Sequence, residues 1–352
     1  MKILLVTSTL LMGGTERYIL NFVKNFKENE IDIAFFRWSD DAMTNIITPY
    51  IGDIYHLPYY IAHPIRFVNF MKKFYREHSY DIVYCHANHG STIFYTFPIW
   101  NRENVLIMYH SHNSHGNRKL LQFLCRIIIN KVCIKRFACS KEASIYMYDS
   151  DQATIINNSI DIDEYRYQYD IRQEIRATYG LDGHYVIGHV GQFSERKNHK
   201  FIIKIFESVL RKIPNAILML VGTGELMEDI QNSATELRID QNILFIGNSD
   251  EVNKLYQAFD LFLLPSLYEG LPFVGIEAQA SGTCCLLSDV ISKDIKITPL
   301  VHFMSLERSP EEWAEYVTQL SISSPNKQDY SEMLEAAGFG LNNMKSMYKD
   351  IF

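Results

Sequence analysis

The chain has 352 residues, of which 47% are apolar and 21% charged, with a net charge of −7. That composition belongs to an ordinary globular protein of about two domains at roughly 150 residues each. It excludes a disordered chain, which lacks the apolar surface to offset its entropy, and a general nucleic-acid binder, which is basic.

The first apolar run, Lys2–Thr7, reads as a buried strand. Met1 to Met12 imitates a signal peptide but holds a single basic residue. It leads into Gly13-Gly14-Thr15-Glu16-Arg17 instead of a small-residue cleavage site, so a cytoplasmic protein is expected. Glycines after a strand let backbone approach a ligand, and the N-terminus of the next helix, Thr15–Asn29, offers free N–H groups to an anion. A plain structural turn is the competing reading. No GxGxxG fingerprint is present, which disfavours a nicotinamide or flavin site.

Strands follow at Ile31–Phe36, Ile82–Cys85, Val105–Tyr109 and Lys135–Cys139, with a helix at Pro64–His78 and another at Leu120–Asn130. The loop Tyr109-His110-Ser111-His112-Asn113 leaves the carboxyl end of a strand, where parallel sheets build ligand sites, so His110 is expected to point into a cleft. His110, His112 and His115 do not have zinc-motif spacing and no cysteine pair accompanies them, so no metal is expected. From Asn104 to Lys141 there is no acid, while Arg118, Lys119, Arg126, Lys131, Lys135, Arg136 and Lys141 are interleaved with Leu120, Leu121, Phe123, Leu124, Ile127, Ile128 and Ile129. Two readings stand for segment 118–141: a core helix with a solvated basic face, or peripheral contact with an anionic membrane at its inner face. None of the six cysteines forms a CxxC pair, and buried free thiols are expected. No apolar run approaches the roughly 18–20 residues that span a bilayer.

A boundary is expected near Asn157-Asn158-Ser159-Ile160-Asp161, giving domains 1–160 and 161–335. A polar connector, Asp163–Asp170, follows, then a helix from about Ile171. The second half repeats the alternation. Its strands are Tyr185–Val190, Ala216–Val221, Ile243–Ile246, Leu261–Pro265 and Thr283–Leu287; its helices are Lys200–Lys212, Gly224–Leu237 and Glu251–Ala258. Such alternation implies crossover units and two doubly wound α/β domains with parallel sheets. Tyr330–Phe352 reads as one or two amphipathic helices, and a helix at about 336–352 that packs back on the first domain is allowed.

Two stretches of the second half carry chemistry. Arg196 and Lys197 follow a strand and open a helix, where a flat guanidinium and a compact ammonium suit the oxygens of a diphosphate; two exposed basic residues in a loop is the competing reading, and the stronger one on these residues alone. In Leu264-Pro265-Ser266-Leu267-Tyr268-Glu269-Gly270-Leu271-Pro272-Phe273-Val274-Gly275-Ile276-Glu277, a strand ends, a turn follows, and a helix begins near Pro272. Glu277 then lies in the helix and Glu269 in the loop before it. One carboxylate accepts from two vicinal ribose hydroxyls in other nucleotide sites.

Glu269 and Glu277 form an E-x7-E motif that resembles that of glycosyltransferase family 4, retaining enzymes of the GT-B fold, in which two Rossmann-like domains face each other across a cleft. The resemblance extends over nearly the whole chain. Gly13-Gly14-Thr15-Glu16 resembles the family's glycine loop, His110 its cleft histidine, and Asn158-Ser159-Ile160-Asp161 the entry to the second domain, where Gly is usual at the place of Ser159. Arg196 and Lys197 resemble the diphosphate clamp; Val221-Gly222-Thr223-Gly224 and Phe245-Ile246-Gly247 resemble the nucleotide-domain turns. Tyr109-His110-Ser111-His112-Asn113 and Leu287-Ser288-Asp289 are similar to members that build bacterial capsule, exopolysaccharide or O-antigen.

The resemblance implies a transferase that moves a sugar from a nucleotide-diphosphate sugar, UDP favoured, to a glycan acceptor, lipid-linked, with retention and without a metal or other cofactor. It implies His110, Glu269, Arg196 and Lys197 as catalytic residues. It implies Gly13, Gly14, Arg196, Lys197, Gly222, Ile246, Gly247, Glu269, Gly270, Leu271 and Glu277 as donor contacts. Nucleotide-sugar epimerases share the fold but lack the E-x7-E setting, and a non-catalytic sugar-nucleotide-binding subunit would not need all four charged residues.

Overall fold

The structure, a computed structural model, describes residues 1–11, 13–61, 63–113, 119–269, 271–323 and 327–352. His115, Arg118 and Gly270 therefore lie outside the described residues. The chain forms two compact units, Met1–Ser159 with Leu341–Phe352, and Ile160–Gly340.

Unit 1 is built on seven strands: β1 (Lys2–Thr7), β2 (Glu30–Phe35), β3 (Ile54–His56), β4 (Ile82–Ala87), β5 (Leu106–Ser111), β6 (Lys135–Ala138) and β7 (Thr154–Ile155). Their order is β3-β2-β1-β4-β5-β6-β7, and every pairing is parallel. The central strands are apolar in nearly every position because helices cover both faces, so alternation disappears; β1 is buried from Ile3 to Thr7. Helices Gly14–Asn25, Pro64–Glu77, Lys119–Val132 and Lys141–Tyr148 supply covering surfaces. Of these, Gly14–Asn25 buries Tyr18, Ile19, Phe22 and Val23.

Unit 2 holds β8 (Tyr185–Val190), β9 (Ala216–Val221), β10 (Ile243–Gly247), β11 (Leu261–Leu264), β12 (Cys284–Ser288) and β13 (Val301–Met304) in the order β10-β9-β8-β11-β12-β13, again all parallel. Helix Met227–Glu236 starts three residues later than its sequence pattern suggests. Gly222 and Gly224 precede it at φ 128° and 159°, which hold the backbone out of helix. A Cβ on Gly222 would sit 2.3 Å from the Gly191 carbonyl oxygen, so glycine alone lets these two turns touch.

The C-terminal residues divide between the units. Helix Ser331–Ala336 belongs to unit 2, and helix Leu341–Met347 to unit 1, where Asn25 donates to the Leu341 carbonyl at 2.7 Å. All six cysteines are buried free thiols, and burial pushes Cys125 up to about 11. Among the described residues, no helix is long and apolar enough to cross a membrane.

Candidate active site

In both sheets the chain leaves the central strand in one direction and later returns on the other side. β8 is flanked by β9 and β11, and β1 by β2 and β4. The loops at such a switch point diverge, and the gap between them is where doubly wound sheets bind ligands.

At the unit 2 switch point, the two charged segments converge. The β8 loop runs through a 3₁₀ turn, Glu195–Lys197, into helix His199–Leu210, with Asn198 in the left-handed region at φ 58°. The Leu267 N–H donates to the Arg196 carbonyl at 2.9 Å, and the Asn198 amide to the Pro265 carbonyl at 3.1 Å. These bonds tie the β8 loop to the β11 loop. Lys197 Nζ then lies 2.7 Å from Glu269 Oε1, and an Arg196 guanidinium nitrogen 3.8 Å from Glu269 Oε2. Ser266 donates to Glu269 Oε1 at 3.2 Å.

Arg196 and Lys197 are not equivalent. The lysine and Glu269 side chains are 7% and 6% exposed, whereas that of Arg196 is 42% exposed. The tight turn sends consecutive side chains in different directions. Gly191 makes room for the buried one, because a Cβ there would lie 2.9 Å from Lys197 Cε.

Glu277 stands in helix Phe273–Ala280, with Pro272 at its N-cap, and accepts from the Tyr256 hydroxyl at 2.9 Å. It is 5% exposed and Leu271 is 7% exposed. Tyr256 fixes the carboxylate's direction; nothing in the sequence singled it out. Gly222, Ile246 and Gly247 form a separate group at the ends of β9 and β10, where the Gly222 N–H donates to the Gly247 carbonyl at 2.8 Å. Gly247 has φ 74°. This group lies on the opposite side of β8 from β11, and the β9 turn meets the β8 loop where Gly222 packs on Gly191 and the Phe193 N–H donates to the Thr223 carbonyl at 2.9 Å.

In unit 1, Gly13 is the N-cap of helix Gly14–Asn25 and makes no side-chain cap. A Cβ on Gly13 would lie 2.7 Å from Glu16 Oε2. Glu16 is buried, accepts from Thr9 at 2.5 Å, and is pushed up by that burial. The carboxylate is therefore packed under the turn.

His110 does not open into a cleft, contrary to expectation. It is fully buried on β5, because the face it points to is covered by helix Gly14–Asn25 and the C-terminal segment. Its Nδ1 is 2.9 Å from the Tyr84 hydroxyl, and Tyr18 stands edge-on to its ring at 4.7 Å. Burial, then neighbouring imidazoles, hold it well below the usual histidine range. His112, two residues further on, lies just past the carboxyl end of β5 and is half-buried. It stacks on His110 at 4.1 Å, and its Nε2 is 3.0 Å from His86 Nδ1.

His86, His110 and His112 offer ligand atoms within 4.8 Å of one another, the one cluster among the described residues that could hold a metal. His86 is distant in sequence and joins the cluster through the parallel register of β4 and β5, which pairs it with His110.

Comparison with known proteins agrees with this architecture. The signature described as Glycosyl transferases group 1 matches residues 171–336, and that described as Glycosyltransferase Family 4 matches residues 12–164. EpsF of Bacillus subtilis (strain 168), which carries a glycosyltransferase name, is 26% identical over 96% of this chain and 92% of its own. The UDP-Gal:alpha-D-GlcNAc-diphosphoundecaprenol alpha-1,3-galactosyltransferase of Escherichia coli is 26% identical over 58% of this chain and 51% of its own. HepE from Anabaena, solved in complex with UDP, superposes with a TM-score of 0.81 at 16% identity and covers 99% of each chain.

The protein is thus a glycosyltransferase of the GT-B type. It belongs to glycosyltransferase family 4, whose two signatures together span both units.

Proposed function

We propose that this enzyme transfers a sugar with retention from a UDP-sugar, held by unit 2, to a lipid-linked glycan in capsule, exopolysaccharide or O-antigen synthesis. The observation that carries the reading is the convergence of Arg196, Lys197 and Glu269 at the β8/β11 switch point. Structures of HepE bind UDP and UDP-glucose, and the E. coli relative is named for UDP-galactose and a diphosphoundecaprenol acceptor, which supports that donor and acceptor class.

The chemistry follows from the charges. The bond from the anomeric carbon to the β-phosphate oxygen breaks, and the bond to the acceptor oxygen forms on the same face. The acceptor proton passes to the departing diphosphate. Negative charge grows on the β-phosphate, where Arg196 and Lys197 stabilise it by preorganised electrostatics. These cations stand in for a divalent metal, so transfer needs none. Glu277, aimed by Tyr256, accepts from the ribose hydroxyls, and Glu269 meets the donor sugar. The N–H groups at Gly13 and Gly14 remain anion donors at a helix N-terminus.

Segment 118–141 also gains definition. On helix Lys119–Val132 the side chains of Leu120, Phe123, Leu124 and Ile127 are 49–76% exposed, at i, i+3, i+4 and i+7, while Cys125 and Ile129 face the core. This unpartnered stripe, beside exposed Lys131 and Lys135, lies on an anionic membrane surface and places the enzyme near a lipid-linked acceptor. Arg126 is not among its contacts, since it pairs with Asp149 at 2.9 Å.

A thermal-shift screen with UDP and GDP tests the donor; UDP stabilises the protein and GDP does so less. Arg196→Ala with Lys197→Ala lowers kcat about 100-fold or more, the scale of losing donors to a developing oxyanion. A rate near wild type would sink the clamp, and loss of turnover in excess chelator would sink metal independence. Lys131→Glu with Lys135→Glu reduces binding to phosphatidylglycerol vesicles; unchanged binding removes the membrane reading.

A further inference from the structure

The unit 1 switch point holds a cavity that none of the motifs touches. Its volume is about 280 Å³, just under the roughly 300 Å³ at which ligand pockets begin, and it lies at the carboxyl ends of β1, β2, β3 and β4. Phe36, Tyr59 and Tyr60 form an aromatic wall, Ser8 and Asn88 supply polar groups, and Arg37 stands at its exposed side.

The wall is fixed from behind. Phe36 stacks on the buried Tyr95 at 4.2 Å, and Tyr95 donates to the Pro58 carbonyl at 3.2 Å. Tyr59 lies parallel to Phe36 and packs against Tyr60 at 5.2 Å. The guanidinium of Arg37 is held between two rings, 5.3 Å from Tyr59 and 5.5 Å from the exposed Trp38, and donates to the Tyr59 hydroxyl at 3.1 Å. Among the described residues, no carboxylate comes within 4.0 Å of it to form an ion pair. Asn88 accepts from Thr15 at 3.4 Å, which ties the pocket floor to the glycine turn.

We propose that this pocket binds a sugar carrying an anionic group, a carboxylate or a phosphoester, with the sugar ring against Tyr59 and Tyr60 and the anion on Arg37. Three observations lead there. Flat aromatic faces beside hydroxyl and amide groups match a sugar ring, which has an apolar face and a polar rim. An arginine oriented by aromatic rings, weakly hydrated and without an acid partner, is preorganised for a bidentate anion. The location is the one where the topology of a doubly wound sheet opens. Calling this sugar the acceptor rests on the glycosyltransferase reading; the anion-plus-ring chemistry does not.

Ligand-observed NMR titrations test the proposal with three probes: methyl β-glucuronide, glucose 1-phosphate and neutral methyl β-glucoside. Saturating UDP keeps the donor site occupied, and UDP binding is read in the same samples by thermal shift. The wild-type protein binds a charged probe at least about tenfold more tightly than the neutral one, a gap of 1.4 kcal/mol. Whichever charged probe binds better tells a uronic acid from a phosphorylated glycan. Arg37→Gln abolishes the preference for charge, and Tyr59→Ala weakens all three probes. Line broadening of the Tyr59 and Tyr60 ring signals in wild type reports the same contact without a variant. Equal affinity for charged and neutral probes, or an unchanged preference in Arg37→Gln, overturns the proposal. If UDP fails to bind while the charged preference holds, the donor reading falls and the pocket stands. If UDP binds and the preference is absent, the reverse follows.

Discussion

At the residue scale, the ion pair between Lys197 and Glu269 is the feature with the most consequences. Both groups are nearly dehydrated, so removing one leaves the other uncompensated, at a cost on the order of 3–5 kcal/mol. Arg196, 3.8 Å from the same carboxylate, softens that cost for Lys197→Met but not for Glu269→Gln, which leaves two cations adjacent. Urea midpoints should therefore fall further for Glu269→Gln. The double variant should recover stability and not activity, because the phosphate would still lack Lys197. A double variant no more stable than either single one would refute a coupled pair. His199 gives a second test. It is buried, stacks on Phe193 at 4.1 Å, and among the described residues neither ring nitrogen has a hydrogen-bond partner. Burial, then the charge of Lys197, holds it down to about 4. The unfolded chain takes up a proton near pH 6.5 and the folded one does not. Stability is therefore full above that value and is lost as pH falls from about 6.5 towards 4. His199→Phe keeps the stack and removes this titration, so its unfolding free energy, read from urea titrations, should drop by about 2 kcal/mol less than that of wild type between pH 7.5 and 5.

At the element scale, the sequence pattern locates what is long and central and misses what is short and peripheral. Lys2–Thr7, Tyr185–Val190 and Ala216–Val221 stand as expected, because each is six residues long, mostly apolar, and buried on both faces through its middle. β3, β7 and β13 escape notice: they are edge strands of two to four residues, half wet, with no run or alternation long enough to register. The same contrast holds for the site. Glu269, Glu277, Arg196 and Lys197 are legible because their loops have a distinctive local composition. Tyr256 and His86 are not, since what selects them is strand register and helix packing across many intervening residues. The pocket beside Arg37 is illegible for that reason too: its lining comes from loops that follow four different strands. Helix Lys119–Val132 is intermediate. Its basic, apolar character is written in the sequence, but which apolar residues are left over only becomes clear once Cys125 and Ile129 are seen facing the core. Leu120→Ser with Phe123→Ser and Ile127→Ser should then abolish vesicle binding while raising the urea midpoint or leaving it unchanged. A marked loss of stability would mean that this stripe is packed in solution.

At the scale of the whole molecule, unit 1 is discontinuous in sequence: the chain completes unit 2 and then returns to finish the first. Tyr348 is what makes that return costly to undo. It is fully buried, its ring packs on Phe22, Phe26 and Phe137 at 5.3–5.5 Å, and its hydroxyl meets those of Tyr84 and Tyr18. Tyr84 in turn holds His110 Nδ1, so the C-terminal segment is wired to the histidine cluster of β4 and β5. Tyr348→Ala would open a cavity and take a partner from the Tyr18 hydroxyl, while Tyr84 keeps His110, and should cost about 3–5 kcal/mol. Tyr348→Phe keeps the ring and should cost about 1–3 kcal/mol. The loss belongs to one unit. Hydrogen exchange should speed up in β1, β4 and β5 and stay slow in β8 and β9, and UDP should still raise the melting temperature of unit 2. Equal loss of protection in both sheets would mean that the two units unfold together, and that the C-terminal return stabilises the whole chain and not the first unit alone.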